Sequence, residues 1–451
     1  MGRRKRKTLE LDGGAAVSRG RPKPPVRDLD LQGTADPGEM GIVGGNSDEG
    51  RAEGDPPMEG TEGAGIVGDD SGEGRDRPAY FLACHWDWAG HPKPFSVYKV
   101  DTAGLSGASS APSPASRRQR LYRVARLDTG VDGVVGKSFV SVRSRHRAWI
   151  VGVGGRAADT IIFDTETNAV IHGPGLRSAK HCPILAAVGD RVYALCKSPS
   201  WIKDPDFPPW FEVLDLSQAR VVVTAAGRRQ LEGCSWSDLP NPPCLPWKLS
   251  LMGFTTTPMV ITTACVVVGS CILVSFDNPW GTLAFDTVSC EWHKVHDDPL
   301  PFAGCPALHG GSIYIGVSER NGPINGYRIR LAAASGKDRA PKLSITVMPV
   351  KLEGRGVDSG DRFCYLGNGR ICSLSFVLRR FIRDPVTEDR VPRKAHLNLR
   401  TYQVDPSLLA ALGETLDVNQ EIPITGQWEQ VFKISSSSHG FSPFAFALLS
   451  V

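Results

Sequence analysis

The sequence predicts an all-β protein, a β-propeller of about six blades over residues 78–451 behind a low-complexity tail at 1–77. Three observations carry that expectation. Short apolar runs alternate with tight turns of Gly, Asn, Asp or Ser along most of the chain, the pattern of antiparallel hairpins. A strand ending in an aromatic or aliphatic residue plus Asp follows these hairpins at a similar distance, so one supersecondary unit repeats. Gly (49) and Pro (34) are frequent among the 451 residues, which favours many short strands over long helices.

Residues 1–77 contain no aromatic side chain and are dominated by Gly, Pro and charged residues. Such a segment buries too little apolar surface to offset its ordering entropy, so disorder is expected. Its start holds a basic run, Arg3, Arg4, Lys5, Arg6 and Lys7, in the form of a nuclear localisation signal. The stretch 38–75 is acidic, with ten acidic and two basic residues. Within it Gly41-Ile42-Val43-Gly44 recurs as Gly65-Ile66-Val67-Gly68, but neither copy has the flanking strand and helix of a phosphate loop.

Order is expected to begin near Pro78. Tyr80 to Trp86 and Pro94 to Val100 read as paired strands, and Arg120 to Leu127 completes a first blade. The second, Phe139 to His172, is the most regular. Its strand Trp149 to Val153 closes on Gly154-Gly155, the next, Thr160 to Phe163, ends in Asp164-Thr165, and a third starts at Ala169. Further blades are expected at about 184–224, 258–296, 304–350 and 360–434. The apolar strand Phe441 to Leu449 is left over, and is expected to pair with the first blade, because closure by a terminal strand removes exposed sheet edges. Two insertions, Arg228 to Met252 and Arg379 to Lys394, are expected on a rim, and a helix only at Pro406 to Leu412.

The hairpin turns align at Ser144-Arg145-His146, Gly189-Asp190, Gly269-Ser270, Gly310-Gly311 and Asn368-Gly369. The strand landmark has three clear copies, Phe163-Asp164, Leu214-Asp215 and Phe285-Asp286. Six residues after each Asp stands an apolar residue: Val170, Val221 and Trp292. The recurrence of Asp164, Asp215 and Asp286 predicts turn-making hydrogen bonds from side chain to backbone rather than a catalytic carboxylate set.

This order of hairpin, strand ending in Asp, short turn and Trp-bearing strand resembles the kelch repeat, most fully in Gly269 to Trp292. The double Gly survives only as Gly154-Gly155 and Gly310-Gly311, and the Trp only as Trp292. As a whole, residues 78–451 resemble the grass-expanded plant family of kelch-like proteins known as domain of unknown function 1668. The resemblance implies a β-propeller and brings no established activity with it.

Charge and motifs exclude several function classes. A net charge of +4 on 451 residues is too balanced for whole-surface attraction, so nucleic acid and membrane are not expected partners. No apolar run approaches a membrane span, and the basic start is followed by polar residues, so a nuclear or cytoplasmic protein is expected and not a secreted one. Most of the eleven cysteines lie in apolar strand-like runs and read as reduced core residues. Copper radical oxidases use a kelch-type propeller, but their Tyr, His and Cys constellation has no match here. Cys290-x-x-His293-x-x-His296 has residue types that suit zinc, yet residues three apart on a strand face opposite ways. Gly-x-Ser-x-Gly is absent. No catalytic residue, metal ligand or cofactor is therefore expected, and an enzyme with a metal or small-molecule site in the propeller channel stands as the alternative.

What remains is a non-enzymatic protein-interaction scaffold that uses the loops of a propeller face. The loop Trp201 to Trp210 is the leading candidate, with Trp201, Phe207 and Trp210 amid prolines, since aromatic anchors dominate protein interfaces. Trp236 and Trp247 in the Arg228 to Met252 insertion are a second. A substrate receptor working with a separate F-box or ligase subunit is a further alternative, since no F-box-like helical segment precedes Pro78.

Overall fold

The computed structural model describes residues 77–86, 95–100, 121, 123–127, 136–144, 147–155, 157–197, 209–244, 262–276, 280–310, 312–318, 322–332, 341–351, 362–383, 390–405, 421–435 and 440–451. The tail with Arg3 to Lys7 and the expected helix at 406–412 lie outside them. In chain order the first blade holds β1 (Ala79–Trp86), β2 (Phe95–Val100) and β3 (Arg123–Leu127). The second holds β4 (Lys137–Ser144), β5 (Arg147–Gly154), β6 (Asp159–Asp164) and β7 (Ala169–Gly173). The third begins with β8 (Ile184–Val188), β9 (Arg191–Leu195) and β10 (Phe211–Asp215), followed by β11 (Arg220–Val223), β12 (Arg229–Glu232) and β13 (Trp236–Asp238). The fourth holds β14 (Thr262–Val268), β15 (Cys271–Phe276), β16 (Gly281–Asp286) and β17 (Glu291–His296). The fifth holds β18 (Ala307–Gly310), β19 (Ile313–Val317), β20 (Ile324–Ala332) and β21 (Lys342–Lys351). The sixth holds β22 (Arg362–Gly367), β23 (Arg370–Arg383), β24 (Arg390–Val404) and β25 (Ile422–Ser435), and β26 (Gly440–Ser450) follows. All regular structure among the described residues is strand.

Turn chemistry makes these runs into meanders. Between β22 and β23, Asn368 and Gly369 both take positive φ, 50° and 71°, as a two-residue hairpin turn of the primed type requires. At the other turn of a blade the recurrent Asp does what its spacing predicts. Asp164 Oδ1 accepts from the Glu166 and Thr167 amides at 3.0 and 3.1 Å, and Asp286 Oδ1 from the Val288 amide at 2.9 Å. The next residue ties that turn to the first one. Thr165 Oγ1 donates to Ala148 O at 2.7 Å, and Thr287 Oγ1 to Ser270 O at 2.6 Å. One Asp-Thr dipeptide thus fixes both turns at one end of its blade, which explains its return along the chain.

The last strand closes the ring. β26 pairs antiparallel with β1, from Ala79 opposite Ser450 to Trp86 opposite Gly440, and the sheet runs β26-β1-β2-β3. The innermost strands are then β26, β4, β8, β14, β18 and β22, one from each of six antiparallel meanders among the described residues. β4 lies beside β8 and β26, and β22 beside β18 and β26.

Six apolar cores join the blades pairwise, and side-chain alternation decides which residue enters which core. From β1, Tyr80 and Leu82 meet Ile150, Ile161 and Phe163 of the second blade, whereas Phe81 and Ala83 meet Leu374, Leu397 and Phe432 of the sixth. Val151 and Ile162 pack on Val192 and Leu214, and Tyr193 and Phe211 on Val274 and Phe285. Val266 and Leu273 pack on Tyr314 and Ile329, and Ile313 and Ile324 on Ile371 and Tyr402. The sequence of cores runs through every blade and returns to the first. That closed circuit makes the fold a six-bladed β-propeller.

Two departures from the expected repeat matter for the surface. The Arg228 to Met252 insertion contains β13, the outer strand of the third blade, where Trp236 stands opposite Leu214. This is the place held by Trp292 opposite Phe285 and by Val170 opposite Phe163. Val221, which the six-residue spacing put there, instead belongs to the β11–β12 hairpin, which joins the outer edge of the second blade through Gln230 and His172. The Arg379 to Lys394 insertion is likewise mostly strand, since β23 and β24 stay paired out to Arg383 opposite Arg390.

Candidate interaction face

Meander topology gives a propeller two unlike faces. At one end of the second to sixth blades lie the two-residue turns between the first and second strands, such as Gly189-Asp190 and Gly269-Ser270, together with the links between the third and fourth strands, which are tight in the second and fourth blades and long between β24 and β25. At the other end lie the links within blades after the second strand and all the links between blades, and most of these connections are longer. Insertions placed there leave the strand ladders intact, which is why that end can vary.

The second and third blades build their part of this face around buried ion pairs. Lys180 and Glu212, both fully buried, form one pair, and Glu212 Oε1 also accepts from the Arg177 amide at 2.7 Å. Lys137 pairs with Asp159 and donates to Gly154 O and Asp159 O at 2.9 and 3.0 Å. Burial holds the Lys137 ammonium below its ordinary pKa, against the opposing pull of Asp159. Gly154, at φ 111°, is required here, because a Cβ would lie 2.7 Å from Lys180 O and 2.8 Å from Gly136 O. Gly154-Gly155 is therefore the corner where two inter-blade links meet. These lysines have their donors directed at protein acceptors and act as struts.

The aromatic candidates divide by placement. Trp210 is fully buried in the core between the third and fourth blades. Trp236 is buried between the second and third, its Nε1 donating to Thr160 Oγ1 at 3.0 Å and Pro174 O at 3.2 Å. Their burial assigns both rings to packing rather than to a surface. Trp201, Phe207 and Trp247 lie outside the described residues, as do Arg3, Arg4, Lys5, Arg6 and Lys7. Cys290 sits exposed in a turn at φ 59°, and the His296 Nδ1 accepts from the Asp298 amide at 3.0 Å. Among the described residues no three His, Cys, Asp or Glu side chains form a metal-binding group.

The most prominent part of this face is the sixth blade. β22 ends its pairing at Arg362 opposite Leu374, yet β23 continues to Arg383 on β24 alone, about 30 Å further at ordinary strand rise. Alternation gives the extension two characters. One face carries Leu397, Phe432 and Ile434 into the core shared with the first blade. The other carries the row Val377, His396 and Lys433, with Lys394 beyond it, then Phe381 and the pair Arg383 and Arg390. Val377 and Phe381 are 42% and 45% exposed, large values for apolar side chains on a strand. The Arg390 guanidinium lies 5.6 Å from the centre of the Phe381 ring, within cation–π range. Repulsion from Lys433, then from Arg380, holds the Lys394 ammonium below its ordinary pKa. Closer to the ring, Arg400 is paired with Glu429 at 3.5 Å, so the cationic character concentrates on the outer rows.

The sheets and cores define the class, a closed six-bladed propeller. The chain belongs to the family of proteins of unknown function DUF1668, which it matches over residues 76–420. Among solved structures it is similar to the β-propeller domain of Myceliophteria thermophila Cps50 (Swd1). The identity is 10%, the coverage 68% of this chain and 84% of that one, and the TM-score 0.35. No curated protein matches.

The sequence places Arg379 to Lys394 as an insertion on a rim, and so misses the outer rows of the sixth blade. The signal was present as alternation. Val377, Arg379, Phe381 and Arg383 occupy every second position, as do Arg390, Lys394 and His396 with Pro392 between.

Proposed function

We propose that the protein is a non-enzymatic interaction scaffold, a kelch-like propeller that presents its loop-bearing face to a protein partner. The observation that carries this reading is the division of labour between the faces. Asp-Thr turns pin one end of the second and fourth blades, whereas all the links between blades and the extension of the sixth blade lie at the other end. Its place of action is the nucleus or cytoplasm, and the basic run Arg3 to Lys7 is the import element.

Affinity capture from cell extract with the full chain, and with residues 201–208 replaced by Gly and Ser, tests the face. Loss of specific bound proteins from the variant is expected, and an unchanged set removes the loop from the interface. Stoichiometric copper or zinc in purified protein would contradict the scaffold reading. Nuclear accumulation that persists after Arg3 to Lys7 are changed to Ala would contradict the import element. Among the described residues no helix is long and apolar enough to cross a membrane.

A further inference from the structure

β25 is an edge strand for most of its length. Its inner side pairs with β24 from Ile424 to Ser435, but its outer side meets β21 only where Ile422 and Pro423 lie beside Val350 and Lys351. Beyond that point no strand among the described residues covers its outer edge, so a row of backbone donors and acceptors is open to another strand. The exposed ammonium of Lys433 is on this strand, and Lys394 on β24 adds a second ammonium to the same face. A second strand laid along β25 would place alternate side chains on the cationic face and the others on the opposite face.

We propose that the sixth blade binds an extended acidic peptide, added as a strand along β25, with alternate carboxylates facing the ammonium groups of Lys433 and Lys394. The proposal rests on the interaction-scaffold reading and supplies the chemistry of one partner segment. Backbone pairing gives such a site its affinity and the charged rows its choice of side chain. Phe381 and Val377, further across the sheet, offer apolar surface to a longer side chain.

A peptide fits this surface better than a nucleic acid does. Glu429 lies on β25 itself, beside Arg400, so a continuous phosphate backbone laid along the strand meets a carboxylate, whereas a peptide can place a neutral side chain there. Only one exposed aromatic ring, Phe381, stands on the described part of the face, and a guanidinium already covers it. Single strands need a series of such rings to stack on.

Fluorescence anisotropy tests the proposal, with the full chain titrated into a labelled decapeptide of alternating Glu and Thr at low salt. Saturable binding is expected. The double variant K394E/K433E should bind at least tenfold more weakly while keeping its melting temperature. Peptides methylated on alternate backbone nitrogens, in each of the two registers, should separate, with one register at least tenfold weaker because it removes the pairing donors. Absence of binding to the wild-type chain overturns the proposal. So does equal binding of all methylated peptides, which would reveal charge attraction without strand addition. Tighter binding of a single-stranded oligonucleotide of matched charge would assign the surface to nucleic acid instead. Failure of the peptide while extract capture still depends on residues 201–208 would remove this site and leave the scaffold reading standing.

Discussion

The second and sixth blades are made from the same four-strand meander and put it to opposite uses. In the second blade both faces of the sheet enter cores, and its corner is locked by Lys137, Lys180 and Gly154. Its outer edge is covered by the β11–β12 hairpin. In the sixth blade β23, β24 and β25 run on past the end of β22, one face of the extension stays open, and the outer edge of β25 is uncovered beyond Pro423 among the described residues. Natural sheets avoid long open edges, and charge on the edge is one way of keeping them from pairing with copies of themselves. Lys433 and its neighbours supply that charge. The difference separates a part of the molecule that holds the ring from a part that is free to meet something else.

Substitutions that attack the holding parts should have large effects on stability. Deleting residues 440–451 removes β26 and bares the β1 edge, so the largest effect is expected there: loss of a cooperative unfolding transition in calorimetry, with aggregation on size exclusion. A truncated chain that melts like the intact one would contradict ring closure. Next comes Glu212→Ala, which takes the carboxylate from a fully buried lysine and should cost about 3–5 kcal/mol in denaturant unfolding. Trp236→Ala should cost a similar ~3–5 kcal/mol by opening the core between the second and third blades. Trp236→Phe keeps most of the packing and loses the bonds to Thr160 and Pro174, for about 1 kcal/mol.

Thiol labelling sharpens the comparison by another route. Burial pushes the Cys244 thiol up to about 12 and Cys234 up to about 11, and Cys196 and Cys372 are fully buried. Exposed Cys290 and Cys305 should react with a maleimide in the native protein, and these four only after denaturation. Rapid native labelling of Cys372 would mean that the core between the sixth and first blades opens. At the small end, K394E/K433E should change stability by no more than about 0.5 kcal/mol, because both side chains lie on the open face.

The repeat was legible wherever turn chemistry sets it. Asn368-Gly369, Asp164 and Asp286 each have a local reason to stand where they do, and the blades fall where those residues put them. The closing strand was legible too, from an apolar run left without a partner. Trp236 was misread because a hairpin inserted before it broke the six-residue spacing, and spacing cannot register a strand that is displaced intact. Trp210 looks like an anchor in a proline-rich loop, yet its backbone carbonyl accepts from the Cys196 amide at 2.8 Å and draws the ring into the core. The sixth-blade face was hidden for a different reason. A cationic strand row and a solvated cationic loop share a composition, and only pairing with a neighbour separates them.

Hydrogen–deuterium exchange of the full chain with and without the alternating Glu-Thr peptide tests the central contrast most directly. New protection of amides in β25, from Ile424 to Ser435, is expected, with the second and third blades unchanged. Saturating peptide that leaves β25 unprotected, or that protects the second and third blades instead, would contradict it.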